Sequence, residues 1–355
     1  MRKRKPIPVF LVGLGRIMTR LEQDPLRNKP CTHVGTMFLK KFRSVYKIKA
    51  GYDSNPEQFQ KFQEQWNIEL PSVPIEDWKF FFQKSDILLA VIATPTSSHV
   101  ELASKLIESK IPNLVIEKPL ALEKKEVLKL SKLAEKHRTK IWINHERRYH
   151  SHYSEAKRII DSKELGDWKT VHANILNYSR SPGNEYTDSF GGPFFHDATH
   201  AIDFLQWCFG TTNQFSSWFH YEKKGHALEH QAYAVLEYPK GKKIFLEAGG
   251  SRKYFTFEIS ISFERGKILL SNDGHKKWIS KESKLYKGFK SLEEIPFWDS
   301  PENTISPFES LYTEIEQVLN GESKMITSGL KENLLLVEWM EKIQKKSVKK
   351  IVSRN

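Results

Sequence analysis

The sequence predicts a doubly wound parallel α/β domain followed by an α+β domain built on an antiparallel sheet. Three observations carry this. Apolar runs alternate with amphipathic helical stretches from Pro8 to Asn144. Beyond Gly166, strand-like runs follow one another across short turns. The length, 355 residues, suits two domains better than one.

Residues 8–14 (Pro-Val-Phe-Leu-Val-Gly-Leu) form a short apolar run entering glycines, as expected of a strand buried on both faces. Behind Met1-Arg-Lys-Arg-Lys this run superficially resembles a secretory leader. It is short, however, and no small-residue cleavage site closes it, so it reads as a first strand. Residues 46–52 predict a second strand ending at Asp53, and Pro56–Trp66 a helix with Phe59 and Phe62 three apart. Asp86–Ala93 reads as a central strand. Ser98–Ser109 reads as a helix with Val100, Leu102, Ala103, Leu106 and Ile107 on one face. Asn113–Ile116 and Lys140–Asn144 predict strands around a helix at Lys124–His137. Strands alternating with helices make a doubly wound sheet.

After a helix at Ser151–Leu165, the runs 168–178, 213–222, 231–238, 242–249, 256–263 and 266–271 have strand composition. Turns such as Pro239-Lys-Gly241 and Glu264-Arg-Gly266 imply antiparallel pairing. Helical patterns interrupt at His200–Phe209 and close the chain at Pro307–Leu319 and Lys331–Lys345. The boundary falls near 145–150, giving domains 1–147 and 148–355, with room for the closing helices to pack back on the first.

Charged residues are 28% and hydrophobic ones 39%, a composition that excludes a disordered chain. The net charge is +13, but the lysines are spread and dense only at Arg2–Lys5 and Lys345–Lys350. That pattern predicts a lysine-rich solvated surface first and an anionic substrate second. No zinc spacing, RNA-binding signature or helix-turn-helix is legible, so neither a metal nor a nucleic-acid partner is expected. Cys31 and Cys208 make no disulfide framework and fit a cytoplasmic location. No apolar run reaches the ~18 residues of a membrane span, so no membrane partner is expected.

Gly13-Leu-Gly15-Arg16-Ile17-Met18 follows the first strand. Glycines there let the backbone turn tightly against a pyrophosphate met by free N–H groups. The full fingerprint wants a third small residue where Met18 stands, and the alternative is an ordinary tight turn. Asp53 ends the second strand, where a carboxylate can accept from both ribose hydroxyls and repel a 2′-phosphate, favouring NAD over NADP. It can equally cap the helix before Pro56. The gap to Asp53 is long, and Pro25 and Pro30 suggest an inserted loop with the helix resuming near Thr32. Thr94, Pro95 and His99 follow the central strand at the ligand-binding edge, with Ser97 or Ser98 as a helix cap. Glu117-Lys118-Pro119 follows the next strand, and a lysine there can donate to a substrate oxygen or exchange a proton; an ordinary surface lysine is the alternative. Asp197 and His200 lie three apart at the start of a helix and share a face, which suits proton transfer; a dipole-favoured Asp and a packed His is the bland alternative.

The order Gly-x-Gly, strand-end Asp, Ala93-Thr-Pro-x-x-x-His99 and Glu117-Lys-Pro119, then a sheet domain, resembles the glucose–fructose oxidoreductase / inositol dehydrogenase / rhizopine catabolism family. Val115–Leu120, Gly191–Asp203 and Asn144–Tyr149 are the most specific segments, and the resemblance covers most of the chain. It implies a Rossmann domain carrying NAD(P) and a domain with a large, mostly antiparallel sheet. That sheet's open face would form the substrate site and a homo-oligomer contact. It implies a hydride transfer at a hydroxyl carbon of a sugar, cyclitol or nucleotide sugar, with Lys118 between nicotinamide and substrate, His200 as the acid–base residue and Asp197 assisting. Arg147 and Arg148 can bind an anionic group or join the domains through carboxylates, with a structural role favoured for at least one; Arg148, Tyr178 and His200 are the candidate substrate contacts, Lys169 and Arg180 line the same face by position, and His196 is a second imidazole. An NAD-dependent glycosidase of the same fold and a non-catalytic sugar or NAD sensor are the rival readings.

Overall fold

The computed structural model describes residues 5–177, 192–222, 228–250, 252–298 and 305–352. In chain order the main elements begin with strand β1 (Ile7–Val12), helix α1 (His33–Met37), β2 (Tyr46–Tyr52), α2 (Pro56–Trp66) and α3 (Trp78–Lys84). There follow β3 (Leu89–Ile92), α4 (Thr96–Glu108), β4 (Asn113–Ile116), α5 (Lys124–His137), β5 (Lys140–Ile143) and α6 (Ser151–Ser162). Next come β6 (Trp168–Leu176), α7 (Pro193–His196), α8 (Thr199–Phe209), β7 (Phe215–Tyr221), β8 (Gln231–Tyr238), β9 (Lys242–Gly249), β10 (Thr256–Phe263) and β11 (Gly266–Ser271). The chain closes with β12 (Gly274–Glu282), β13 (Lys290–Ile295), α9 (Pro307–Leu319), α10 (Leu330–Lys345) and β14 (Val348–Ile351).

Two compact units emerge: Met1–Tyr149 with Ile305–Val337, and His150–Thr304 with Glu338–Asn355. In the first, five parallel strands run in the order β2-β1-β3-β4-β5. Every residue of β1 is buried, so alternate side chains feed both faces. Phe10 and Val12 pack with Trp78, Phe82, Leu106 and Leu130 on one face. Val9 and Leu11 pack with Met18, Val34, Phe62 and the α9 residues Leu311, Tyr312 and Ile315 on the other. The strand order reverses between β1 and β3, which makes their carboxyl ends the place where such sheets bind ligands.

The second unit holds a nine-stranded sheet in the order β13-β12-β11-β10-β6-β9-β8-β7-β14. Among the described residues, only β6/β9 and β14/β7 pair in parallel there. Along β10, Phe257, Ile259, Ile261 and Phe263 are buried while Glu258, Ser260 and Ser262 are half-buried, the alternation of a sheet packed on one face.

Candidate active site

The first unit gathers its polar motifs at the carboxyl ends of β1 to β4. Gly13 follows β1 at φ +79°, and a Cβ there would lie 2.6 Å from Thr94 Cγ2 and 2.8 Å from the Ala93 carbonyl. Only glycine fits this close crossing of the β1 and β3 ends. Gly15 faces open space instead, with nothing within 4 Å of where a Cβ would stand. Arg16 is exposed and Ile17 half-buried beside it. Leu14 donates its N–H to Asp53 Oδ2 at 2.7 Å, and its carbonyl accepts from Gln58 Nε2 at 2.7 Å. Asn55 N–H donates to Asp53 Oδ1 at 2.8 Å. Asp53 therefore does not cap α2; Asn55 does, accepting from Glu57 N–H at 3.0 Å.

The glycine turn does not run into a continuous helix. His33 and Val34 donate to the carbonyls of Ile17 and Met18 at 3.3 and 3.0 Å. Ile17 and His33 are sixteen apart where an α-helical bond needs four, so twelve residues are looped out of one helix. Glu22 anchors the loop, accepting from Thr32 Oγ1 at 2.7 Å and Cys31 N–H at 3.1 Å. Met18, in the third-glycine position, is wholly buried in the core.

At the end of β3, Thr94 is half-buried and Pro95 exposed. Neither Ser97 nor Ser98 caps α4: the cap position is Pro95, and Ser98 bonds Thr94 Oγ1 and the Pro95 carbonyl, both at 2.8 Å. His99 is buried, with Nδ1 3.0 Å from the Pro119 carbonyl and Nε2 2.8 Å from the Thr94 carbonyl. Burial lowers its pKa against the pull of those carbonyls. A neutral ring donates its one N–H to only one of these carbonyls, and both ring nitrogens lie against the backbone of the loops after β3 and β4.

Glu117 is buried and fully engaged. His33 Nε2 lies 2.9 Å from its Oε1, Asn144 Nδ2 donates to the same oxygen at 2.6 Å, and Lys118 N–H lies 3.3 Å from Oε2. Tyr312 of α9 completes the chain at 2.9 Å from His33 Nδ1. Burial pushes Glu117 upward, but the His33 bond and charge, Asn144 and the Lys118 ammonium together bring its pKa below normal. Lys118, next in the chain, is half-buried. Sequence reasoning missed His33, because the looped-out segment separates it from the glycines it belongs with.

Of the two readings of Arg148, the fold takes the structural one over the substrate contact. Arg148 is 4% exposed, and its Nη1 donates to the Thr327 carbonyl at 3.0 Å inside the first unit, a structural post rather than an open anion site. Tyr178 and Arg180 lie outside the described residues. Lys169 pairs with Glu264 at 2.7 Å.

The second unit carries Asp197 and His200. His200 stands half-buried in the first turn of α8. The Asp197 carboxylate takes His196 Nδ1 at 2.7 Å and the Asn177 amide on its other oxygen. Its described imidazole partner is thus the adjacent histidine. Behind it lies Glu229, also missed in the sequence, 2% exposed and accepting from Phe194 N–H at 2.9 Å. Burial foremost, with the charge of Asp197, pushes its pKa up to about 7.

Family models match on both sides of the boundary. Residues 7–145 match an oxidoreductase family with an NAD-binding Rossmann fold, and residues 153–269 match the C-terminal domain of that same family. Oxidoreductase P35 of Formosa agariphila is 29% identical over 158 residues, 42% of this chain and 47% of that protein. The chain thus spans about half the length of the curated relatives it matches. Among solved structures, the WlbA dehydrogenase of Bordetella pertussis, in complex with NADH and UDP-GlcNAcA, shares the fold at a TM-score of 0.73 and 17% identity, over 96% of each chain. A variant of KijD10, a 3-ketoreductase from Actinomadura kijaniata in complex with TDP-benzene and NADP, does so at 0.71 and 14%, over 98% of this chain and 99% of that one. With a parallel sheet, a glycine turn and a mixed sheet in the matched segments, the chain belongs to the Gfo/Idh/MocA oxidoreductase family.

Proposed function

We propose that the protein is an NAD(P)-dependent oxidoreductase acting on a hydroxyl carbon of a sugar, cyclitol or nucleotide sugar. The observation that carries this is the convergence of Gly13, Asp53, Thr94 and Glu117–Lys118 on the carboxyl ends of four adjacent parallel strands. A dinucleotide fits what is there: the open space at Gly15, the close crossing at Gly13 and a carboxylate with acceptor sites left over at Asp53. Gly13, Gly15, Arg16 and Ile17 would hold the pyrophosphate, Asp53 the ribose, and Thr94, Pro95 and Lys118 the nicotinamide end. When bound, the cofactor accepts or gives the hydride. Asp53 favours NAD, because its charge repels a 2′-phosphate.

Lys118 would donate to the substrate oxygen and stabilise charge developing on it. His200 would take the hydroxyl proton, with Asp197 assisting. A second reading for the base is His196, favoured by its 2.7 Å contact with Asp197. A nucleotide-sugar or other anionic substrate accords with the +13 charge and with the UDP-GlcNAcA bound by WlbA. A cytoplasmic homo-oligomer belongs to the same reading, and light scattering on the purified chain reads its size.

The first test is a melting scan with NAD, NADH, NADP and NADPH. A ligand at 100 times its Kd stabilises the native state by about 2.7 kcal/mol. A shift with NAD(H) over NADP(H) is expected, and a shift with none sinks the reading in favour of a sugar sensor. Sugars and nucleotide sugars are then screened at the nicotinamide band. Lys118→Met and His200→Ala should each lower turnover by roughly 10²–10⁴-fold with cofactor binding retained. Loss in His196→Ala but not His200→Ala transfers the base. Sugar release without net cofactor reduction would make the protein a glycosidase.

A further inference from the structure

We propose that His150, His152 and His275 form a binding site for one divalent transition-metal ion of the zinc class. His150 stands at the N-terminal boundary of α6, His152 lies in its first turn, and His275 is the second residue of β12. All three belong to the second unit and are half-buried. One ligand nitrogen from each lies within 4.8 Å of the others. The ring centroids are 5.5 Å apart for His150 and His152, 5.3 Å for His150 and His275, and 3.9 Å for His152 and His275.

A tetrahedral ion with Zn–N bonds of about 2.0–2.1 Å needs nitrogens roughly 3.4 Å apart. Closing from 4.8 Å asks for a shift on the order of 1 Å, which imidazole side-chain rotation supplies. The His152 and His275 rings are tilted 33°, and must turn further for their lone pairs to converge. Ser271 N–H lies 3.3 Å from His275 Nδ1. An ion taking Nδ1 displaces that long bond, and one taking Nε2 shifts the tautomer and also loses it.

The donor set chooses the metal. Three imidazoles suit zinc, nickel or copper and are poor ligands for magnesium or calcium, which want oxygen. Three protein ligands leave a fourth position for water. Trp298 and Phe297, at 4.3 and 5.0 Å from the His152 ring, cover one side. The ion would pin the first turn of α6 to β12. No spacing rule finds this site, because only His150 and His152 are near in sequence.

The test uses the full chain, stripped with a chelator and dialysed against zinc sulfate alone. One zinc per chain is expected by elemental analysis, with a raised melting temperature and no displacement by excess magnesium. Cobalt(II) should give the intense visible bands of a four-coordinate nitrogen site. His152→Gln and His275→Gln, folded by circular dichroism, should each lower zinc affinity at least tenfold, while His137→Gln on α5 leaves it unchanged. Retention of less than one-tenth of an equivalent by the native chain overturns the proposal, as does unchanged affinity in the His152→Gln/His275→Gln pair; the cluster is then an aromatic stack.

Discussion

Glu117 of the first unit and Glu229 of the second are both nearly sealed from water, yet their pKa values move in opposite directions. Burial penalises the charge of each and is the largest influence on both. Around Glu117 it is outweighed by His33, Asn144 and Lys118. Around Glu229 only backbone N–H groups oppose it, and Asp197 adds a like charge. Burial alone therefore does not fix a carboxyl's state; its partners do. One is a carboxylate held by His33 and Asn144. The other exchanges a proton near neutrality, beside the Asp197–His196 pair.

Removing a partner from Glu117 is the strongest way to break this contrast. His33→Ala leaves a buried carboxylate short of its main hydrogen bond, a change that costs about 3–5 kcal/mol in buried pairs. Urea denaturation measures it. Glu117→Gln, which keeps an amide oxygen for Asn144, should cost less, and the double variant should cost less than the sum. A loss under about 1 kcal/mol in His33→Ala would mean that Glu117 does not depend on it.

The next effect has the opposite sign. Glu229 is pushed from 4.5 up to about 7, so between those values the folded chain holds a proton that the unfolded chain releases. Its stabilising share is complete below pH 4.5 and is lost as pH rises through 7. Glu229→Gln keeps an acceptor for Phe194 N–H without the charge. It should gain about 3 kcal/mol above pH 7 and nothing below pH 4.5. Glu117, with its lowered pKa, contributes above its unfolded value and loses that share on acidification. The Glu229→Gln difference measured across pH 4–8 decides; a flat difference removes Glu229 as a titrating neighbour of Asp197.

The sequence was legible where side-chain periodicity was strong. The spans read as 46–52, 56–66, 124–137 and 231–238 are those of β2, α2, α5 and β8. The β12–β13 hairpin and β14 escaped because they are mostly exposed, rich in Lys and Glu, and show no apolar alternation. The aromatic run Phe80-Phe81-Phe82 hid α3, since it follows neither period. In the site, glycines and strand-end acids announce backbone needs and could be read. The buried partners His33, Asn144 and Glu229 could not, because polar types read as surface until the fold encloses them.

The smallest expected effect separates two roles that the sequence left joined at Asp53. Asn55→Ala removes the α2 cap and should cost ~1 kcal/mol, with cofactor preference unchanged. Asp53→Asn keeps the shape but turns one oxygen into an amide facing a backbone N–H, either Leu14 or Asn55. It should cost a similar ~1 kcal/mol. In addition it removes the charge that repels a 2′-phosphate, so the melting shift with NADP should rise toward that with NAD. If Asn55→Ala changes the NAD-to-NADP ratio as much as Asp53→Asn does, the strand-end acid acts only by shaping the loop. The discrimination between cofactors would then lie in the glycine turn itself, where Leu14 is held from both sides.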